Sequence, residues 1–204
     1  MTTIDAKTVM KLREMTGAPM MDCKQALTEN GGDMAKATDW LRKKGKASAE
    51  KAASREVKEG KLFSYVHHNG KVAVLVEIVC ETDFVARNED FNSFGKGCCL
   101  TAAAFAPAFL NREAVDATAV ERERAIVVDQ TNTAMKGKPQ QVIDKAIEGR
   151  MDKFFQAKCF VEMPFVNPDD QNDTRSVEQM RQWLVGKIGE NIQIRRFNYM
   201  ALGS

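Results

Sequence analysis

The chain has 204 residues, of which 44% are apolar and 28% are charged, and its formal net charge is +2. A charge so close to zero argues against direct nucleic-acid binding, because nucleic-acid-binding proteins usually present a clearly basic face. No apolar run is long enough for a membrane span and no signal peptide is visible, so we expect a cytoplasmic protein that does not bind membranes.

Residues 1–45 predict a module of three short helices. Asp5 is a suitable N-cap for the first helix, and Gly17 is suited to end it, because glycine adopts the left-handed backbone that commonly closes a helix. Asp33 is placed to cap the third helix, which we expect to end at Gly45. Three helices of this length bury only a small core.

Residues 46–61 are rich in Ala, Lys and Glu and carry no wide apolar stripe. This pattern predicts a solvated helix or a flexible connector. A basic tether that touches RNA is the alternative, but Glu50, Glu56 and Glu59 dilute its positive charge.

Residues 62–204 predict one α+β core unit. Two apolar runs, at 62–67 and 72–80, flank Asn69-Gly70, which is a strong signal for a β-hairpin. The second run is apolar on both faces for several residues, which is typical of a central strand. Helical patterns follow at 88–106, 113–135, 139–157 and 177–186, and further strands are predicted at 159–166 and 192–202. We therefore expect an antiparallel sheet packed with helices.

The side chains needed for covalent catalysis are scarce. The only histidines are His67 and His68, side by side at the predicted hairpin, and adjacent strand residues point to opposite faces of a sheet. No Walker A loop, dinucleotide-binding glycine pattern or zinc-protease sequence occurs. We therefore expect no catalytic residues, no metal site and no cofactor.

The cysteines are odd in number and include no Cys-x-x-Cys pair. This usage is typical of a cytosolic protein, in which we expect them to be small buried side chains and not disulfides. They are Cys23, Cys80, Cys98, Cys99 and Cys159.

Two segments of the chain resemble a known family. VMKLREMTGAPMMDCKQAL, residues 9–27, is similar to the opening helices of elongation factor Ts, a module of the ubiquitin-associated type. ETDFVARNEDF, residues 81–91, contains the Thr-Asp-Phe-Val sequence that follows the central strand in that family. Weaker similarity continues through KPQQVIDKAIEGRMDKFF, MPFV and KIGENIQIRRF, so the resemblance covers nearly the whole chain in order.

This resemblance implies a guanine-nucleotide exchange factor of translation elongation, and not an enzyme. Such a factor binds elongation factor Tu both with GDP and without nucleotide, and it promotes GDP release. The chain has one core unit where long family members have two halves, so a homodimer is expected to replace the missing half.

The resemblance also assigns residues to two contact regions. A wedge that disturbs the magnesium and nucleotide site of the partner is formed by Thr82, Asp83, Phe84 and Val85. On the N-terminal module, the contact positions match Arg13, Met20 and Met21. The alternative is that Phe84 and one of the two methionines are core residues and that Asp83 is only a helix cap.

Two other function classes stay open from the residues. A ubiquitin-type or peptide-binding adaptor would account for the three helices but not for the TDFV segment. An RNA-binding accessory protein would use the connector and Arg195 and Arg196, although the charge is nearly neutral and aromatic residues make up 7%.

Overall fold

Three helices open the computed structural model, which describes residues 4–170 and 172–203. They are α1 (Ala6–Thr16), α2 (Met20–Glu29) and α3 (Met34–Ala52). Asp5 caps α1 by accepting the Thr8 N–H, and Gly17 ends it with a left-handed φ of 66°. Asp33 caps α3. The predicted caps Asp5 and Asp33 and the role of Gly17 are confirmed.

A small apolar core lies between these helices. Its members are spaced so that each helix turns one apolar face inward, and six of them are buried: Val9, Leu12, Cys23, Ala26, Leu27 and Ala37. Trp40 and Leu41 pack against this cluster while partly exposed. The module therefore has a core of its own, although alanines and a cysteine make up half of the buried set.

We predicted that the third helix ends at Gly45, and this is wrong. The helix continues to Ala52. Gly186 of a later helix lies against this point, because a Cβ added at Gly186 would come within 3.1 Å of the Gly45 Cα. Glycine inside a helix costs about 1 kcal/mol relative to alanine. Here it allows two helices to approach closely, which the local sequence cannot signal.

A three-stranded sheet is formed by β1 (Glu59–Val66), β2 (Val72–Cys80) and β3 (Ile192–Ala201), in the order β1-β2-β3. The predicted hairpin, the central position of β2 and the late strand are confirmed. Because α3 extends to residue 52 and β1 begins at residue 59, only a short link remains of the predicted connector.

Between β2 and β3, the described residues form five helices and two 3-10 turns. They are α4 (Asp83–Arg87), α5 (Glu89–Phe105), α6 (Ala117–Ala134), α7 (Gln140–Lys158) and α8 (Val177–Ile188), with 3-10 turns at Arg112–Ala114 and Phe160–Glu162. The α+β class and the four predicted long helices are confirmed.

The strand predicted at 159–166 is wrong. Residues 160–162 form a 3-10 turn, and the segment takes part only in isolated bridges, such as the one between Phe109 and Cys159. Phe160, Met163 and Phe165 are buried. The segment is apolar because neighbouring elements cover it, and not because it pairs within the sheet.

The chain forms two compact units, and each contains part of every strand. The first consists of residues 1–63, 77–95 and 179–195, and the second of residues 64–76, 96–178 and 196–204. The sequence-based boundaries at 1–45, 46–61 and 62–204 stay a prediction. Within residues 4–170 and 172–203, no helix is long and apolar enough to cross a membrane.

Candidate functional site

The chain turns directly from strand β2 into the short helix α4. Thr82 is the N-cap of this helix: its backbone is extended, and its Oγ1 accepts the Val85 N–H at 3.4 Å. Val85 and Ala86 are buried, so the inner side of α4 is packed into the protein. The alternative in which Asp83 is only the helix cap is therefore wrong, because the cap is Thr82.

Phe84 lies on the outer side of the same turn and is 80% exposed. Phe91 and Phe94, on the next helix, are fully buried. Leaving a phenylalanine side chain in water forgoes about 1.5–3 kcal/mol of burial free energy. The alternative in which Phe84 is a core residue is therefore wrong, and its ring is available to another molecule.

The Asp83 carboxylate lies in the first turn of α4, beside Phe84. Its Oδ2 is 2.9 Å from Nη2 of Arg87, one turn later. Both side chains are substantially exposed, so this ion pair contributes at most about 1 kcal/mol. A partner that offers a donor or a cation can displace Arg87 at small cost.

Two glutamates that the sequence did not single out hold the base of α4. The Glu190 carboxylate accepts the Thr82 N–H at 3.1 Å and the Thr82 hydroxyl at 2.7 Å. Glu81 Oε1 accepts the Asn191 N–H and an Nη1–H of Arg55. No local pattern connects positions 82 and 190, which lie 108 residues apart. Glu190 was visible only within the KIGENIQIRRF similarity, which gives it no role.

The three residues expected to act on the N-terminal module are all on its surface. Arg13 is exposed, Met20 is 40% exposed and Met21 is 73% exposed. The alternative in which one of the two methionines is a core residue is therefore wrong. Met10 and Met15 are exposed as well, at 52% and 64%. The many methionines of this small module are the signal that could have identified Met10 and Met15 as surface residues, because methionine adapts its shape to varied partners.

An open cleft of about 240 Å³ adjoins Arg13. It is lined by Met10, Arg13, Glu14, Gly17 and Lys187. Helix α8 borders this region, because the indole N–H of Trp183 donates to the Thr16 carbonyl at the end of α1. The cleft is therefore supported by a contact between the N-terminal module and a late helix of the same compact unit.

The cysteines are not suited to nucleophilic chemistry. All five are free and buried, as predicted. Burial raises the pKa of the thiols of Cys80, Cys99 and Cys159 to about 11, and it raises the pKa of Cys23 and Cys98 as well. The thiolate form that attacks an electrophile is therefore scarce at neutral pH.

The prediction that the two histidines point to opposite faces is wrong. They lie in the turn beyond β1, where alternation no longer applies, and their ring centroids are 4.2 Å apart. Within the described residues, no group of three or more His, Cys, Asp or Glu side chains is arranged to hold a metal ion.

Comparison with known proteins extends the resemblance to the whole chain. Residues 44–174 match the family model described as elongation factor TS. The chain is 50% identical to "Elongation factor Ts" of Fervidobacterium nodosum over 200 residues, which cover 98% of each protein.

The chain belongs to the elongation factor Ts family.

Two further relatives support this membership, and both carry the same name. The chain is 45% identical to the protein of Desulforamulus reducens, over 100% of this chain and 91% of the relative. It is 44% identical to the protein of Nitratidesulfovibrio vulgaris, over 98% of each. Family membership makes the chain a translation elongation factor, and the first and third relatives match it over nearly their full length.

Proposed function

We propose that this protein is a guanine-nucleotide exchange factor for elongation factor Tu, acting in the cytoplasm. The observation that carries the proposal is the exposed ring of Phe84 beside Asp83, on a helix whose base is held by hydrogen bonds, in a chain of this family. The protein performs no covalent step. It binds the GDP-bound partner, disturbs the site of magnesium and nucleotide, and lets GDP leave.

The TDFV segment acts as a wedge in this proposal. Phe84 enters a seam between helices of the partner, and Asp83 offers a carboxylate near the partner's magnesium site. Packed elements have discrete alternative arrangements, so a small insertion can move the helices that hold a metal ion. Thr82 and Val85 supply the cap and the buried anchor that keep the wedge in one direction.

The energetics require a second contact region. Accelerating release about 10⁴-fold means lowering the barrier by more than about 5 kcal/mol. Burying one phenylalanine contributes about 1.5–3 kcal/mol. In this proposal the remainder comes from contacts of the N-terminal module, through Arg13, Met20 and Met21, that become stronger as the nucleotide leaves. Because coupling is reciprocal, nucleotide and exchange factor weaken each other's binding to a comparable degree.

The second compact unit supports the proposal of a homodimer. Its strands and C-terminal residues expose four apolar side chains: Val66, Leu75, Met200 and Leu202. A contiguous group of exposed apolar side chains commonly marks a protein interface, and a twofold interface uses the same patch on both copies. Light scattering at micromolar concentration tests the dimer, and the mass of a single chain would contradict it.

Release of labelled GDP from elongation factor Tu tests the function itself. We expect the protein to accelerate release strongly, and to form a complex with the nucleotide-free partner that added GDP dissociates. Phe84→Ala and Asp83→Ala should each lose most of the acceleration while the protein stays folded. An unchanged release rate with the unmodified protein would contradict the proposed function.

A further inference from the structure

Among the described residues, the side chain of Glu190 accepts two hydrogen bonds, and both come from Thr82. One carboxylate oxygen accepts the backbone N–H and the other accepts the hydroxyl, at 3.1 and 2.7 Å. Glu190 is partly buried and lies just after α8, whereas Thr82 precedes the wedge. A carboxylate with both oxygens engaged fixes the orientation of its partner more strictly than a single hydrogen bond does.

A second contact of the same kind runs in the opposite direction. Glu81 accepts the backbone N–H of Asn191, while Glu190 accepts the backbone N–H of Thr82. Each glutamate therefore holds the residue that follows the other. Arg55 adds to this arrangement by donating to Glu81 at 3.2 Å and to the Gly189 carbonyl at 2.8 Å.

The hydroxyl of Thr82 links Glu190 to the direction of α4. A hydroxyl has one proton, and Glu190 accepts it, so a lone pair of Thr82 Oγ1 is left to accept the Val85 N–H. Without Glu190 the hydroxyl is free to rotate, and it can donate its proton elsewhere. The cap that begins α4 is thus set by a residue far away in the sequence.

Helix α4 depends on this cap more than a long helix would. It has five residues, and isolated helices shorter than about 12 residues are marginal in water. Its outer side, with Phe84 80% exposed, gains little from packing against the described residues. The direction of the ring therefore follows the direction of the first turn, which Thr82 and Val85 define.

We propose that Glu190 is a positioning residue for the exchange wedge: by holding both polar groups of Thr82, it fixes the helical turn that presents Asp83 and Phe84. This inference rests on the proposed function for its effect on GDP release, but its structural part can be tested on the protein alone. Glu190 acts through Thr82 and does not itself reach the partner.

The first test measures hydrogen exchange of backbone amides in the protein without its partner. Glu190→Ala should speed exchange at Thr82 and Val85 about tenfold, since hydrogen bonds to charged groups are among the stronger ones in proteins. Glu190→Gln keeps the size but has one acceptor oxygen, and it should give an intermediate effect. The Ala37 amide, which bonds to the Asp33 carbonyl in α3, reports any global destabilisation. Unchanged protection at Thr82 and Val85 would overturn the inference whatever the protein does to the GTPase.

The second test measures GDP release from elongation factor Tu at varied factor–partner ratios. Glu190→Ala should lower the maximal release rate about tenfold, because misplacing a group by about 1 Å can reduce a rate by up to 10²-fold. The KM, here the concentration of GDP-bound elongation factor Tu at half the maximal rate, should stay nearly unchanged. Glu121→Ala, which removes a glutamate from the exposed side of α6, serves as the matched control. A rise in KM at an unchanged maximal rate would contradict a positioning role.

A double-mutant cycle with Phe84→Ala separates positioning from general stability. If Glu190 acts through the wedge, Glu190→Ala should change the rate little once Phe84 is absent. Equal effects in both backgrounds would show that Glu190 supports the fold in general, and would overturn the inference. If the unmodified protein does not accelerate GDP release from elongation factor Tu, the proposed function fails. The amide measurement then decides the role of Glu190 alone.

Discussion

The three N-terminal helices and helix α4 both present apolar side chains to solvent, and they hold them by different means. Met20 and Met21 lie on a helix whose other face contributes Cys23, Ala26 and Leu27 to a buried core. Phe84 lies on a five-residue helix whose first residues are fixed by the hydrogen bonds that Thr82 donates to Glu190 and accepts from the Val85 N–H. A core tolerates the loss of one surface group, whereas a capped turn depends on a few polar atoms.

The largest difference in unfolding free energy should be between variants of the two phenylalanines on either side of the break between α4 and α5. Phe91→Ala removes a fully buried ring and should lower the free energy of unfolding by about 3–5 kcal/mol. Phe84→Ala removes an exposed ring and should change it by less than about 0.5 kcal/mol. Denaturant unfolding measures both. A large loss of stability in Phe84→Ala would show that the ring packs within the chain.

The next effect concerns the glycine that ends α1. Gly17 has a φ of 66°, and an added Cβ would lie 2.7 Å from the ring of Trp183. Gly31 has a similar φ of 62° and open space around it. Gly31→Ala should cost about 1–2 kcal/mol from backbone strain alone. Gly17→Ala should cost about 1–3 kcal/mol more, because the ring must move. Equal losses of unfolding free energy would show that Trp183 yields freely.

These positions also show how far the sequence predicts the structure. Helix caps and the hairpin are local, so Asp5, Asp33 and Asn69-Gly70 sufficed to predict them. Gly45 misled because its role depends on Gly186, which is distant in the sequence. The residues of the wedge came from a family resemblance, and nothing local connects them to Glu190. Exposure of Phe84 followed only from that resemblance, since the same residue type is fully buried at Phe91.

A moderate effect should appear when the N-terminal surface is altered. Arg13→Ala and Met21→Ala should each weaken association with elongation factor Tu by about 1–2 kcal/mol, as expected for central contact residues. Lys43→Ala, which changes an exposed side chain on α3, is the control. Calorimetric titration with the nucleotide-free partner measures all three. Unaltered affinity in both variants would restrict the contact to α4.

The smallest effect is a pH dependence of the thermal midpoint. It arises from the charged caps of the N-terminal helices and not from the neutral cap of α4. Hydrogen bonds, first from the Lys36 N–H, lower the pKa of Asp33. A lowered folded-state pKa means that Asp33 stabilises the protein above its unfolded-state pKa of about 4, and that this contribution disappears as the pH falls through the folded-state value.

Asp33→Asn keeps a good capping side chain that does not titrate. The thermal midpoint of this variant should therefore fall less than that of the unmodified protein between about pH 5 and pH 3. Parallel curves would mean that the ionised form of Asp33 adds nothing to the cap.

The buried cysteines make local opening of the folded chain observable. Because all five thiols are enclosed and have a raised pKa, the folded chain offers labelling reagents almost nothing to modify. A thiol that reacts under native conditions has been exposed by local opening. The rate of its modification therefore reports the rate or extent of that opening. Cys80 is especially informative, because its Sγ donates to the Thr82 carbonyl at 3.2 Å. Its reaction would time the release of the segment that carries the wedge.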